Sequence, residues 1–156
     1  MQLFYNSTID KNTLQITFDK IESRHIVKVL RKKEGDAIYI TNGKGQVFNC
    51  KITIANDKKC LVSILGKEEK KQFKDYYLHV AIAPTKNNDR LEWFIEKATE
   101  IGIDEITPII CQNSERKIIK KERLEKIIVA AMKQSLKFYL PKLNEAVPFK
   151  VFIEQD

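Results

Sequence analysis

The chain has 156 residues, 43% of them apolar and 31% charged, with 28 Lys or Arg against 21 Asp or Glu. That much apolar side chain can close one or two small cores, which excludes wholesale disorder, and the longest uninterrupted apolar run, Ile127–Met132, is far too short to cross a bilayer. Two histidines and three cysteines without a CxxC pair supply neither a metal cage nor a Ser-His-Asp triad of any promise, so no metal is expected.

The opening MQLFYNSTIDK lacks a basic stretch followed by an apolar one, so no secretory signal is read and a cytoplasmic location is expected, with no membrane partner. Through residue 72 come short β-branched and aromatic runs, QLFY, LQITF, DAIYIT, QVFNCKITI and CLVSILG. Turn chemistry at NGKG (42–45) and ANDKK (55–59) separates the later ones, the pattern of a small antiparallel β-barrel. Between the second and third runs, Ser23 is expected to cap a short helix through Arg31, with Ile26, Val27 and Leu30 facing inward and Gly35 closing the turn beyond. Residues 66–75, GKEEKKQFKD, alternate in charge around one aromatic and read as a linker, which puts a domain boundary near residue 72.

The period then changes. YYLHVAIAP (76–84) is an almost continuous apolar strand of the kind covered on both faces in a parallel sheet. Asn88 or Asp89 starts a helix with Leu91, Phe94, Ile95, Ala98 and Ile101 along one stripe, and Gly102 takes the left-handed stop. DEITPIIC (104–111) is a second strand. A longer helix is expected from about Lys120 to Leu140, burying Leu124, Ile127, Ile128, Ala131 and Phe138 and stopped by Pro141, and FKVFIEQD begins a further element. Strand, helix, strand, helix implies a right-handed α/β unit. The fold class is therefore α+β overall, a barrel over residues 1–72 and an incomplete α/β domain over 73–156. Cys50, Cys60 and Cys111 read as buried thiols.

Charge is distributed unevenly. Residues 1–72 hold 14 basic and 8 acidic side chains, and residues 73–156 hold 14 and 13. The densest basic cluster is RHIVKVLRKK, where Arg24, Lys28 and Arg31 at spacings of 4 and 3 would line one helical face toward successive phosphates; a solvated face whose stems cover the barrel is the other reading. His25, beside that face, suits packing or hydrogen bonding better than catalysis. A second cluster places Lys86 and Arg90 at a helix start and Glu92, Glu96, Lys97 and Glu100 along its body, with Trp93 off the apolar stripe. Arg116, Lys117, Lys120, Lys121 and Arg123 crowd before the long helix, and Gln134 and Ser135 interrupt its apolar face, wanting either a partner or a local backbone bond. There is no GxGxxG, no GxxxxGK and no glycine after Gly102 to cradle a nucleotide cofactor.

HIVKVLR, the GDAIYITNGKGQVF hairpin, KNNDRLEWFIEKATEIGIDEITPIIC, SERK, ERLEKI and AMKQSLKFYLPKL, in that order, resemble the bacterial 16S ribosomal RNA uracil-N3-methyltransferase family along nearly the whole chain. The resemblance implies an N-terminal PUA-like barrel and part of a SPOUT methyltransferase domain, a fold with a trefoil knot. It also implies S-adenosylmethionine as methyl donor, a uridine of 16S rRNA in the small ribosomal subunit as acceptor, and a homodimeric full-length protein. Carried over residue by residue, it places Arg24, His25, Lys28, Arg31, Lys32 and Lys33 on the barrel surface toward RNA. Lys86, Arg90, Glu92, Lys97 and Glu100 match the family's K..dr.e...K..E pattern, Arg116 its basic residue after the second strand, and Gln134 the glutamine of an EQxxR-type motif. Lys86, Arg90 and Arg116 are thereby expected at RNA, while Glu92, Lys97, Glu100 and Gln134 hold motif positions without an assigned role. Lys133 replaces that motif's acid and Lys137 stands where arginine is common. The family's donor pocket is the knot, built from a later GPEGG-like strand end and an LR-containing loop. Cofactor-binding residues are thus expected beyond Asp156, and the 156 residues alone are expected to be inactive; the alternative is a stand-alone RNA-binding protein without catalysis.

Overall fold

The β-branched runs of the first half pair into one curled five-stranded sheet. Its strands are β1 (Leu3–Tyr5), β2 (Gln15–Thr17), β3 (Ala37–Thr41), β4 (Gln46–Ile54) and β5 (Leu61–Glu69), in the order β1-β3-β4-β5-β2. Antiparallel pairing joins β3 to β4, β4 to β5 and β5 to β2, while β1 adds at the edge parallel to β3. In the computed structural model, residues 1–72, 74–115 and 117–154 are described, and the chain divides into two units, Met1–Lys71 and Gln72–Asp156.

The NGKG hairpin forms because its residues satisfy the turn themselves. Asn42 Oδ1 accepts from the Lys44 amide at 2.9 Å, Thr41 Oγ1 accepts from the Gly43 amide at 3.1 Å, and Gly43 and Gly45 take φ of 72° and 83°. Alternate residues of the strands turn inward. Phe4, Ile16, Ile38, Ile40, Phe48, Cys50, Ile52 and Val62 form one buried cluster, and each large side chain there contributes on the order of 2 kcal/mol. Residues 66–69, read as linker, instead continue β5 against Gln46–Asn49. Their side chains are exposed, so no apolar alternation marks a strand held only by its backbone ladder.

The helix across this sheet differs from expectation at both ends. Asp19, not Ser23, caps α1 (Lys20–Arg24), its carboxylate accepting from the Glu22 amide at 2.8 Å. Ser23 is buried: its hydroxyl donates to the Phe18 carbonyl at 3.1 Å and accepts from the Cys60 amide at 2.8 Å, fastening the helix to the sheet. From His25 to Val29 the chain widens into a π-turn, and Arg31 takes a left-handed φ of 54°. Ile26 is wholly buried, with Val27 and Leu30 packed against the core.

In the second unit β6 (His79–Ile82), β7 (Glu105–Ile110), β8 (Lys142–Leu143) and β9 (Val147–Pro148) are parallel. β7 is central, and β8 and β9 pair with its two ends. Only four residues of the apolar YYLHVAIAP run form ladder; Tyr76 and Tyr77 remain exposed. α2 (Asn88–Ile101) is capped by Asn87, whose side chain accepts from the Asp89 amide at 2.9 Å, and ends at Gly102 with φ of 108°. Leu91 and Ile95 of α2 meet Leu124 and Ile128 of α3 (Lys121–Gln134) over Ile106 of β7. Ile101 is exposed and Thr99 buried in its place, its hydroxyl donating to the Ile95 carbonyl at 2.7 Å. α3 stops six residues short of the expected Leu140. Leu136 turns left-handed at φ 53°, the Lys137 amide donates back to the Met132 carbonyl at 3.0 Å, and the freed chain becomes β8. The closing α4 (Phe149–Ile153) lays Phe152 against His79, ring centroids 5.6 Å apart. Cys50 and Cys60 are buried free thiols and Cys111 is half-buried. Among the described residues no helix is long and apolar enough to cross a membrane.

Candidate nucleic-acid interface

The π-turn sets the geometry of the barrel's basic cluster. Inserting the extra residue per turn breaks the 4-and-3 spacing, so Arg24, Lys28 and Arg31 do not fall on one straight helical row. Arg24, Lys28, Arg31 and Lys33 are exposed and Lys32 half-buried. Lys28 Nζ stands 3.9 Å from Asp57, an exposed pairing worth little against a phosphate. The Lys32 amide donates to the Ile26 carbonyl at 3.0 Å and the Lys33 amide to the Asp36 carboxylate at 2.8 Å, so the backbone carrying these cations is held in place. His25 is occupied: Nδ1 lies 3.6 Å from Glu22 and its ring makes an edge contact with Phe4, centroids 6.2 Å apart.

The second-unit candidates separate into three kinds. Lys86, 3.3 Å from Glu115, is exposed, as are Arg90 and Gln134 at the two ends of their helices. Glu92 is largely buried, its side chain 17% exposed, and holds Arg123 of α3 with two bonds, Nε to Oε1 at 2.6 Å and Nη2 to Oε2 at 2.9 Å. Lys97 bonds Glu96 at 2.7 Å and Glu100 at 3.0 Å, carboxylates that raise its pKa. Glu92 thus ties α2 to α3, and Lys97 and Glu100 tie α2 to itself. Ser135, the other polar residue at the helix end, donates its hydroxyl to the Ala131 carbonyl at 2.7 Å, the local backbone bond. Arg116 lies outside the described residues.

One polar constellation carries no motif in the sequence. Glu105 Oε2 accepts from the Tyr77 hydroxyl at 2.6 Å, and Oε1 accepts from Asn144 at 2.6 Å and from Lys142 at 2.9 Å. Asn144 also donates to Thr107 Oγ1 at 2.7 Å, which lies 2.7 Å from His79 Nε2. The Tyr77 hydrogen bond foremost, with those of Asn144 and Lys142, holds the Glu105 carboxyl down to about 2, and the same carboxylate pushes Tyr77 up to about 12. Asp104 is likewise depressed: burial opposes its charge, but the Leu78 amide, Lys74 and Gln72 outweigh that cost. The alternation of Glu105, Ile106 and Thr107 was the available signal, since it puts both polar residues on the face of β7 opposite α2 and α3.

Among the described residues the methyl donor implied by the resemblance finds no fit. Gly102 is the last glycine of the chain, so nothing after it offers a cradle of close backbone amides. The groove beside the Glu92–Arg123 pair is lined by Lys120, Lys121, Arg123 and Lys126 against Glu92 and Glu122, a net-positive wall that disfavours a sulfonium.

Residues 52–156 match a family model described as an RNA methyltransferase domain, and residues 18–65 one described as an RNA methyltransferase PUA domain. Ribosomal RNA small subunit methyltransferase E of Buchnera aphidicola subsp. Acyrthosiphon pisum is 30% identical over 97% of this chain and 60% of its own length. The crystal structure of a probable rRNA-methyltransferase from Porphyromonas gingivalis superposes with a TM-score of 0.91 at 39% identity, covering 100% of this chain and 64% of that one. At 18% identity, the structure of ribosomal RNA small subunit methyltransferase E from Neisseria gonorrhoeae bound to S-adenosyl methionine shares the fold, TM-score 0.88, over 100% of this chain and 66% of that one. The chain thus spans about three-fifths of the length of these relatives. With two compact units in an α+β fold, a basic barrel and a family match over most of its residues, the chain belongs to the RNA methyltransferase family.

Proposed function

We propose that this chain is the RNA-recruiting N-terminal portion of an S-adenosylmethionine-dependent methyltransferase that modifies ring nitrogen 3 of a uridine in 16S rRNA. The observation that carries the reading is the barrel's basic surface: Arg24, Lys28, Arg31 and Lys33 exposed on a backbone fixed by the π-turn, within a unit of 14 basic and 8 acidic side chains. Relatives named for small-subunit rRNA methylation support the substrate, and a structural relative bound to S-adenosyl methionine supports the donor. The SPOUT knot, the homodimer and the cytoplasmic location belong to the same proposal. Residues 1–156 perform recruitment: cations meet phosphates and displace counterions, and the folded subunit rather than a base sequence supplies specificity. Donor binding is assigned to sequence outside these residues, so the 156-residue chain alone is inactive.

Two measurements test this. Isothermal titration of the chain with S-adenosylmethionine is expected to show no heat of binding, and stoichiometric micromolar binding would overturn the assignment of the pocket. Titration of labelled 16S rRNA fragments is expected to show affinity falling steeply with salt; a flat dependence would remove RNA recruitment itself.

A further inference from the structure

The cations before α3 are left over by the proposed function, and they are not spread at random. Residues 73–156 hold 14 basic and 13 acidic side chains, yet residues 116–126 alone hold six basic and two acidic ones. Four of them, Lys120, Lys121, Arg123 and Lys126, border a groove of about 790 Å³ whose wall also holds Glu92 and Glu122 and whose apolar lining is Ile127 and Ala130. Its charges are sorted by pairing. Glu92 is consumed by Arg123, and Lys121 is drawn to Glu145 at 2.5 Å. Lys120 and Lys126 remain exposed at the rim, with no side-chain partner among the described residues.

We propose that this groove is a second RNA-backbone site, Lys120 and Lys126 taking successive phosphates while Ile127 and Ala130 meet the apolar face of a ribose or base; it rests on the RNA-methyltransferase reading above. Charge complementarity selects the occupant. The cations left unpaired are lysines, which act as point charges on phosphate, and an apolar lining that can take an unstacked base or ribose suits a splayed single strand better than a duplex. The Glu92–Arg123 pair has a positioning role, fixing α3 against α2 so that the rim lysines keep their spacing.

The test is fluorescence anisotropy of a labelled oligouridylate with the full 156-residue chain across a salt series. Each phosphate neutralised on a single strand adds about 0.7 to the slope of log affinity against log salt. K120Q/K126Q is therefore expected to flatten the slope by about 1.4, and each single variant by about 0.7, with the melting temperature unchanged and the control K150Q without effect. An unchanged slope in K120Q/K126Q, with K28Q/R31Q flattening it, overturns the groove and leaves recruitment by the barrel standing. No change in either double variant overturns both. Displacement of the RNA by polyglutamate as effectively as by unlabelled oligouridylate overturns RNA in favour of an acidic protein segment. If the double variant fails to fold, the two singles carry the same test.

Discussion

Ser23 shows how one hydroxyl can decide a local fold. Its two bonds satisfy the Phe18 carbonyl and the Cys60 amide inside the core, where neither group can reach water. Ser23→Ala leaves both unpaired in a small cavity, and a loss of about 1–3 kcal/mol is expected from urea unfolding. Glu105 makes a different prediction, because its value is set by charge. Its carboxyl is depressed from 4.5 to about 2, so its contribution is fully present above the unfolded value and is lost as pH falls through the folded one. Glu105→Gln is expected to lower the melting temperature at neutral pH, by an amount equivalent to about 1–2 kcal/mol. The gap to the parent should close as pH drops from 4.5 toward 2. A gap constant across that range would show that Tyr77, Lys142 and Asn144 do not depend on its charge.

At the scale of elements, helix ends offer a paired test of opposite sign. Gly102 sits at φ 108°, and an added Cβ would meet only the tip of Lys137 at 3.8 Å, so Gly102→Ala costs through conformation rather than collision. A loss of about 1–2 kcal/mol is expected. Leu136 occupies the equivalent left-handed position after α3 with a side chain that glycine would not need, and Leu136→Gly is expected to stabilise by about 0.5–1 kcal/mol by thermal melting. The same two ends show what sequence can and cannot reveal. Glycine 102 announced its stop because glycine alone takes that conformation without strain. The end of α3 was hidden because a leucine accepts the strain there, leaving Pro141 as the visible but wrong stop. Asp19 is no plainer a cap in the sequence than Ser23 for a related reason: both are good capping types, and only the burial of Ser23 separates them. The π-turn has no residue signature; it coincides with Ile26 buried in the core and His25 set edge-on to Phe4, contacts that only the fold brings about.

For the molecule as a whole, charge asymmetry was legible and the polar constellation around Glu105 was not. Counting residues reveals where cations concentrate, but a network spanning Tyr77 to Asn144 depends on which strands lie side by side. The asymmetry leads to a dissection. Among the described residues, all strand pairings of the barrel lie within residues 1–71, including the Lys70 amide that donates to the Gly45 carbonyl at 2.7 Å, and its core cluster draws no residue from beyond Val62 except the partly buried Ile64. A fragment of residues 1–71 is therefore expected to fold alone, with a cooperative thermal transition. Arg24, Lys28, Arg31 and Lys33 give it about four phosphate contacts, which corresponds to a salt slope of about −3 on a single strand. Residues 72–156, with nearly balanced charge, are expected to bind the same strand with a shallower slope, the two groove lysines contributing about −1.4. A barrel fragment that folds but binds without salt dependence would mean that its basic surface is only solvated, its stems covering the sheet. The steeper slope residing in residues 72–156 would reverse the roles of the two halves and make the groove, rather than the barrel, the primary anchor on RNA.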